Sequence, residues 1–344
     1  MGYAIILEAP RTVSRLDYTE AELEPHQVRL RTLYSGISAG TELASYRGSS
    51  PQLNKSWDSS RRLFMSSPPT ANYPVTTWGY EEVGEVSERG AAVTLVETGD
   101  RIWGTWGHKS THTVSEAWAA ERVLPATLEP LCGIFSHVGA IALNVLLDAD
   151  VHVGETVAVF GQGVMGLVVT QLARANGGSV IAVDGIARRL ELARECGAAH
   201  TIDFREQDAA MAIKALTANR GADVSIEITG AYSALNDAIR ATAYNSRVVA
   251  AGFYQGGGAA LLLGEEFHHN RIQVVCSQIS GSNPRLSHRW DRLRLNQTIM
   301  RLQEQKVIDL KRLVSHIVPA GEAAQAFQQL DQNPSDVVQV VLKF

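Results

Sequence analysis

The alternation of apolar and polar residues divides the chain into two regions with different hydrophobic patterns. Over residues 1–125, short β-type runs such as VRLRTLYSG and EEVGEVSERG are separated by glycines, which predicts an irregular, mostly antiparallel domain. From about residue 128, near-continuous apolar strands alternate with segments of helical period. Six such strands with intervening helices predict a parallel sheet covered on both faces, in a doubly wound α/β arrangement.

The C-terminal segment from KRLVSHIVP onward adds a strand, a helix and a strand, which we expect to complete the first domain. The predicted domains are therefore 1–127 with 298–344, and 128–297. Residues 49–77 are rich in Ser and Pro and have no period. They predict a long loop, and such loops in compact domains are usually functional or mobile.

Composition excludes several classes of protein. A chain of 344 residues with 45% hydrophobic residues is globular and long enough for two domains. The net charge of −5 and the pI near 6.1 argue against nucleic acid or an anionic membrane as a partner. We expect no membrane-spanning run and no signal peptide, and Cys132, Cys196 and Cys276 are too few for a disulfide framework. A cytoplasmic protein is expected.

The sharpest motif is GQGVMG, which follows the strand ETVAVF and opens a helix. Gly161 allows a tight turn, Gly163 lets the backbone approach a pyrophosphate, and Gly166 lets the helix pack on the sheet. Val164 and Met165 begin the helix, where free N–H groups favour phosphate. This context predicts a Rossmann dinucleotide site rather than a glycine-rich turn without a ligand.

An acidic residue, Asp184, ends the next strand at the position that contacts the adenosine ribose, and it favours NAD(H) over NADP(H). Arg188 and Arg189 follow closely, and either could reach a 2′-phosphate, so NADP(H) is less favoured but open. The predicted cofactor set is completed by residues after two later strands, in ITG and AGF: Thr229, Gly230, Gly252 and Phe253.

With these parts in place, the whole chain resembles the medium-chain dehydrogenase/reductase superfamily. The resemblance rests on GVMG, VDGIARRLELARECGA, IEITGA and the closing HIVPAGEAAQAF. It implies a GroES-like β-rich catalytic domain and a Rossmann domain with a six-stranded parallel sheet. Within the superfamily, SGISAGTE and YPVTTWGYEEVGEV look most like the subgroup of bacteriochlorophyllide dehydrogenase and related bacterial proteins.

Metal-using members of that superfamily carry a ligand cysteine in a segment like GICGTD, a ligand histidine in GHE, and a third ligand before the nucleotide domain. Here the first falls on Ser38, the second on Tyr80, and the third on Ser136 or His137. The four-cysteine lobe that holds a structural zinc is absent from the sequence. Hydroxyls are poor zinc ligands, so we expect no zinc. An improvised Glu81, Glu82 and His137 cluster is the alternative.

Without a metal, a hydrogen-bond donor must stabilise the charge that develops on a carbonyl oxygen during hydride transfer. Tyr80 is the predicted proton donor, with Ser38, Thr41 and His137 as relays or orienting groups and Glu81 beside it. Each also has a structural interpretation: Tyr80 as a packing residue, Ser38 and Thr41 bonded to their own turn, and His137 on a helix surface.

The favoured function is a zinc-free, NAD(H)-dependent oxidoreductase acting on a carbonyl or hydroxyl of a small polar molecule resembling a sugar, polyol or cyclitol. Reduction of a conjugated C=C or C=N bond is an alternative, and so is a bacteriochlorophyllide-type substrate. A binding protein that catalyses nothing is a further alternative. The strand RIQVVCSQIS is expected at a sheet edge, where relatives pair, so a homodimer is expected.

Overall fold

The computed structural model describes residues 1–50, 55–66 and 73–344. These residues form two compact units: unit 1 is Met1–His137 with Val314–Phe344, and unit 2 is Val138–Leu313. The predicted boundaries at 127/128 and 297/298 lie close to these divisions but do not coincide with them. The predicted boundary at 297/298 falls inside the helix Arg292–Glu304. The hydrophobic pattern of a helix shows that one face is buried, but it does not show which of the two units buries it.

The strands of unit 1 come from both ends of the chain. They are β1 (Gly2–Ala9), β2 (Thr12–Tyr18), β3 (Gln27–Ile37), β4 (Lys55–Asp58), β5 (Leu63–Ser66), β6 (Glu82–Arg89), β7 (Arg101–Gly104), β8 (Thr111–Ser115), β15 (Val314–Pro319) and β16 (Gln339–Lys343). Its helices are α1 (Ala39–Tyr46), α2 (Glu116–Ala120), the start of α3 (Phe135–Ala149), and α9 (Ala323–Gln332).

Strand β3 is the centre of unit 1. The main sheet has the order β15-β16-β3-β6-β7, and β8 also pairs with β3. Strands β6, β8 and β16 all run antiparallel to β3, as the glycine-punctuated pattern predicts. The C-terminal segment does return to this unit, because β16 pairs with β3 in the register Val340↔Ile37.

The predicted long loop at 49–77 contains regular structure. Strands β4 and β5 form an antiparallel hairpin within it. Trp57 and Phe64 pack edge to face across that hairpin, with ring centroids 5.0 Å apart, and both are about half exposed. Four-residue strands are too short for an alternating pattern to show in the sequence. Residues 51–54 and 67–72 of the predicted loop lie outside the described residues.

Unit 2 is the predicted doubly wound domain. Its strands are β9 (Thr156–Phe160), β10 (Ser179–Asp184), β11 (His200–Asp203), β12 (Ala222–Glu227), β13 (Thr242–Ala250) and β14 (Gln273–Cys276). Its helices are the rest of α3, α4 (Val164–Ala175), α5 (Ala187–Glu195), α6 (Ala209–Leu216), α7 (Tyr232–Ala241) and α8 (Arg292–Glu304). The six strands form one parallel sheet with the order β11-β10-β9-β12-β13-β14.

This strand order reverses between β9 and β12. The chain passes from β9 outward to β10 and β11, then returns to the other side of β9 with β12. In open α/β sheets, ligands bind outside the carboxyl ends of the strands at such a switch point. The turn after β9 is therefore the place where this fold offers a nucleotide site, and GQGVMG occupies it.

One helical stretch, Pro130–Ala149, is 20 residues long and apolar enough to cross a membrane by length and composition. The expectation that the chain has no such run was wrong on that criterion. Most of this stretch is buried inside the protein, as it is in the core helix of a soluble protein.

Candidate functional site

The turn from β9 into α4 has the geometry that its three glycines predict. Gly161 has φ of +95°, and a Cβ on Gly166 would lie only 1.8 Å from the carbonyl oxygen of Gly161. A Cβ on Gly163 would meet nothing within 4 Å. The helix therefore packs tightly on the turn, while its N-terminus, with Val164 and Met165 in the first turn, is open at Gly163 and presents the free N–H groups that favour a phosphate.

Asp184 lies at the end of β10, beside this turn, and is buried. Its Oδ2 accepts a hydrogen bond from the backbone N–H of Gln162 at 2.6 Å, and its Oδ1 accepts one from Ile186 at 2.9 Å. Each carboxylate oxygen has a second lone pair. The side chain can thus hold the glycine turn in place and still accept a hydrogen bond from a ribose hydroxyl.

A cavity of about 390 Å³ opens beside Asp184. It is lined by Gly161 and Asp184 together with Arg189, Phe204 and Arg205 among others. Phe204 and Arg205 follow β11 and were missed by sequence reasoning, because no motif marks the end of that strand. The guanidinium of Arg205 is held by Asp203 at 2.6 Å, and that of Arg188 lies 3.2 Å from Glu191. Arg188 is not among the lining residues.

The other predicted cofactor residues are brought together after β12 and β13. Gly230 has φ of +76°, and a Cβ on Gly252 would lie 2.2 Å from the backbone nitrogen of Gly230. Thr229 lines the cavity and packs on Gly161, where a Cβ would come within 2.6 Å of the Thr229 methyl group. Phe253 is about half exposed.

In unit 1 the structure gathers the predicted catalytic hydroxyls around Tyr80. The Tyr80 hydroxyl is hydrogen-bonded to the Ser38 hydroxyl and lies 3.2 Å from Thr41 Oγ1, to which it donates. The His137 ring meets the Tyr80 ring edge to face, with centroids 5.2 Å apart. Ser38 precedes α1 and Thr41 lies in its first turn, so the SGISAGTE segment presents both hydroxyls to one phenol.

The environment keeps Tyr80 protonated. Burial raises the pKa of the Tyr80 phenol well above its ordinary value, and the hydrogen bonds to Ser38 and Thr41 lower it only in part. A phenol with a raised pKa donates a proton or a hydrogen bond and does not act as a base at neutral pH.

A buried hydrogen-bonded chain lies behind these hydroxyls. His108 Nε2 is 2.8 Å from Glu42 Oε2, and His108 Nδ1 is 2.7 Å from the Ser35 hydroxyl. That hydroxyl also lies 2.9 Å from Glu82 Oε1, and Glu82 Oε2 accepts a bond from the backbone of Trp106 at 2.7 Å. The four side chains of Glu42, His108, Ser35 and Glu82 are each at most 3% exposed. We call them the buried chain.

The Ser35 hydroxyl has one proton and two hydrogen-bond partners, Glu82 Oε1 and His108 Nδ1. The protons of the buried chain can therefore be arranged in two ways. If Ser35 donates to Glu82, both ring nitrogens of His108 donate and the ring is positive. If Ser35 donates to His108, Glu82 must hold the proton instead. Burial lowers the pKa of His108, but Glu42 and Glu82 outweigh it and leave the pKa raised; burial also raises the pKa of Glu82.

The buried chain ends at Ser38. Glu42 Oε1 accepts a hydrogen bond from the backbone N–H of Ser38 at 2.8 Å. His108 therefore orients Glu42, Glu42 fixes Ser38, and Ser38 holds the Tyr80 hydroxyl. His108 and Ser35 were missed by sequence reasoning, because TWGHKS carries no recognised motif and His108 meets Glu42 from 66 positions away.

Glu81 is buried at 1% exposure, and its Oε2 makes no hydrogen bond. A Cβ on Gly36 would lie 2.4 Å from that oxygen, so the carboxyl is pressed against β3. Burial raises the pKa of Glu81 well above its ordinary value, and the charges of Glu42 and Glu82 raise it further. The physical consequence is a side chain that favours the neutral, protonated form.

The donors of this region do not fit a zinc ion. Ser38 and Tyr80 offer neutral hydroxyls that bond to each other, and the Glu82 carboxylate is used by Ser35 and Trp106. Glu81 faces Gly36. Among the residues that the structure describes, no group of three or more His, Cys, Asp or Glu side chains is placed to hold a metal ion. The alternative cluster of Glu81, Glu82 and His137 is not assembled.

We expect Glu81→Gln to flatten the pH dependence of stability. A raised folded-state pKa contributes stability that is fully present below the unfolded pKa and is lost as pH rises through the folded pKa. The wild-type melting temperature should therefore fall as the pH is raised from about 4.5, the ordinary pKa of a glutamic acid, towards the raised folded-state pKa, and that of Glu81→Gln should fall less. The measurement is thermal unfolding across this range.

Glu85→Gln is the matched control, because Glu85 lies on β6, which begins directly after Glu81, is partly exposed and pairs with Arg31 at 3.3 Å. It should keep the wild-type slope. An identical slope in wild type and Glu81→Gln would show that Glu81 does not bind its proton unusually tightly.

The sequence of this chain is similar to those of known dehydrogenases. A family model described as zinc-binding dehydrogenase matches residues 164–293. D-guloside 3-dehydrogenase of Shigella flexneri is 28% identical over 99% of each chain. (R,R)-butanediol dehydrogenase of Bacillus subtilis is 27% identical over 76% of this chain and 78% of its own.

The fold agrees with these matches. The crystal structure of 2R,3R-butanediol dehydrogenase from Bacillus subtilis superposes with a TM-score of 0.80 and 21% identity, covering 100% of both chains. The chain is thus an oxidoreductase of the dehydrogenase type, and its relatives imply a nicotinamide cofactor. Together with the fingerprint turn and the two-unit architecture, the matches support the medium-chain dehydrogenase/reductase superfamily as the family of this chain.

Proposed function

We propose that this protein is a zinc-independent, NAD(H)-dependent oxidoreductase that interconverts a carbonyl and a hydroxyl on a small sugar-, polyol- or cyclitol-like molecule. The observation that carries the proposal is the Tyr80 phenol, held by Ser38 and Thr41 and kept protonated by its surroundings. It stands where metal-using members of the superfamily carry a histidine ligand.

The substrate class is supported by the relatives. D-guloside 3-dehydrogenase is named for a sugar derivative and (R,R)-butanediol dehydrogenase for a small diol. The cluster of hydroxyls around Tyr80 can form hydrogen bonds with such a substrate.

A reduced nicotinamide cofactor held at the fingerprint turn would supply the hydride in the direction of reduction. The Tyr80 hydroxyl donates its proton to the carbonyl oxygen as negative charge develops there, which gives the alcohol. Ser38 and Thr41 keep the phenol oriented, and both offer hydrogen bonds to the phenolate that remains. Proton uptake from water then restores Tyr80. The high pKa of this phenol favours reduction over oxidation.

For the cofactor, we propose NAD(H) in preference to NADP(H). The carboxylate of Asp184 lines the cavity, and its negative charge disfavours a 2′-phosphate. Arg189 and Arg205 line the same cavity and oppose this preference in part, although Arg205 is paired with Asp203.

We also propose a cytoplasmic homodimer. Strand β14 is at the edge of the parallel sheet, and its residues Gln273, Val274 and Cys276 are exposed. An exposed edge offers unpaired backbone groups that a second copy of the strand can satisfy.

We expect Tyr80→Phe to lower the turnover number for carbonyl reduction by about 10²–10⁴-fold, the usual contribution of a general acid. Nucleotide affinity should be unchanged, because Tyr80 lies in unit 1 and the fingerprint turn lies in unit 2. The measurement is steady-state kinetics with NADH and a panel of ketoses and inosose-type ketones.

Tyr73→Phe is the matched control, since the Tyr73 hydroxyl donates to the backbone of Ser45 at 2.6 Å and does not bond to Tyr80. It should retain wild-type turnover. If Tyr80→Phe also retained it, Tyr80 would be a packing residue and the proposed chemistry would be wrong.

Metal content tests zinc independence separately. Protein purified without a metal-affinity tag and without chelator should contain zinc well below one ion per chain, and chelators should leave turnover unchanged. Plasma mass spectrometry gives the content. One zinc per chain, lost together with activity on chelation, would refute this part of the proposal.

We expect Asp184→Ser to shift the preference towards NADPH, because removing the carboxylate removes repulsion of the 2′-phosphate. The ratio of the NADPH to the NADH dissociation constant should fall by about tenfold or more, from the loss of one charge interaction. Fluorescence titration with both nucleotides gives the ratio. Glu206→Gln, at an exposed site outside the cavity lining, makes the same charge change and should leave the ratio as it is. An unchanged ratio in Asp184→Ser would mean that another residue sets the preference.

A further inference from the structure

The last residue of β12, Glu227, carries a fully buried carboxylate that accepts four hydrogen bonds. Its Oε1 accepts from the backbone N–H of Thr229 at 2.6 Å and from the Thr229 hydroxyl. Its Oε2 accepts from the backbone N–H of Gly230 at 3.2 Å and from the hydroxyl of Tyr254. Four donors around one carboxylate stabilise its charged form, although burial raises its pKa.

The backbone of Glu227 contributes to the same arrangement. Its carbonyl oxygen accepts hydrogen bonds from the N–H groups of Ala251 at 2.8 Å and Gly252 at 3.1 Å. One residue therefore holds two loops, 228–231 after β12 and 251–254 after β13. The loops touch, since a Cβ on Gly230 would lie 2.7 Å from the carbonyl oxygen of Phe253.

The strand order assigns these loops to one half of a dinucleotide. Doubly wound domains bind one mononucleotide on each side of the switch point. Here β9 and β10 carry the fingerprint turn and Asp184 on one side, and β12 and β13 lie on the other. Because Asp184 marks the adenosine side, the two loops held by Glu227 belong to the nicotinamide side.

We propose that Glu227 is a positioning residue for the nicotinamide half of the cofactor, acting through the two loops that its carboxylate holds together. The inference rests on the dinucleotide site of the proposed function. Tyr254 is the link to the second loop, because its hydroxyl joins the 251–254 loop to the carboxylate that organises the 228–231 loop.

The test compares Glu227→Gln and Tyr254→Phe in the full-length chain. Glutamine places an amide N–H₂ against a backbone N–H, either that of Thr229 or that of Gly230, so it breaks that bond and removes the negative charge. Phenylalanine removes the Tyr254 bond and leaves the carboxylate in place. Tyr232→Phe is the matched control, because the Tyr232 ring packs 5.2 Å from that of Tyr254, yet no hydrogen bond joins its hydroxyl to Glu227. Dissociation constants for NADH and adenosine 5′-monophosphate are measured by fluorescence and competition, well below the melting temperature.

We expect NADH to bind about tenfold more weakly to Glu227→Gln than to wild type, and at least about threefold more weakly to Tyr254→Phe. Losses of this size are expected when hydrogen bonds to a charged group are removed. Adenosine 5′-monophosphate should bind Tyr254→Phe as it binds wild type, and Tyr232→Phe should bind both ligands as wild type does. A role in stability alone would lower the melting temperature without separating the two ligands.

If Glu227→Gln fails to fold, Tyr254→Phe decides the question. Wild-type NADH affinity in Tyr254→Phe, or an equal loss of affinity for both ligands, overturns the positioning role. Failure of the wild-type protein to bind either NADH or NADPH overturns the dinucleotide site itself, and the proposed function with it.

Discussion

Burying a carboxylate costs several kcal/mol unless it accepts hydrogen bonds or takes up a proton, and this constraint organises both units of the protein. Glu42 and Glu82 meet it by sharing His108 and Ser35, and Glu227 meets it with four donors. Glu81, with one oxygen that makes no hydrogen bond, meets it by protonation. Around Glu42, Glu82 and Glu227 the groups that satisfy the carboxylates come from separate strands or loops, which are thereby fixed relative to each other.

In unit 1 the buried carboxylates help to fix the side chains around Tyr80. Side chains near a reacting group are useful only if they hold a defined position. Ser38 is fixed from behind by Glu42, and Glu42 by His108, so the phenol of Tyr80 is oriented by a series of hydrogen bonds that reaches strand β6 through Glu82. A hydroxyl pair on a loop lacking that support would sample several rotamers.

Much of this arrangement is encoded locally and could be predicted. The fingerprint turn, Asp184 and the alternation of strands and helices follow from short contiguous patterns, and Ser38, Thr41 and Tyr80 come from two glycine-bounded segments that do converge. The buried chain could not be predicted, because His108 joins Glu42 and Ser35 across 66 and 73 positions, and a lone histidine has no spacing to recognise. Phe204 and Arg205 follow a four-residue strand, and the boundary within α8 depended on packing alone.

The division of unit 1 between the two ends of the chain affects how the protein folds. Unit 2 is continuous, whereas unit 1 is divided, and β3 pairs with β16 across about 300 residues. During synthesis from the N-terminus, unit 2 can fold once its own residues have emerged. β8 can already pair with Gln27–Arg31 of β3, but the edge at residues 34–37 must wait for β16, near the end of the chain. Domains fold as units during translation, and transiently unpaired strand edges promote aggregation. Shielding of β3 in the nascent chain is therefore a requirement that this topology imposes.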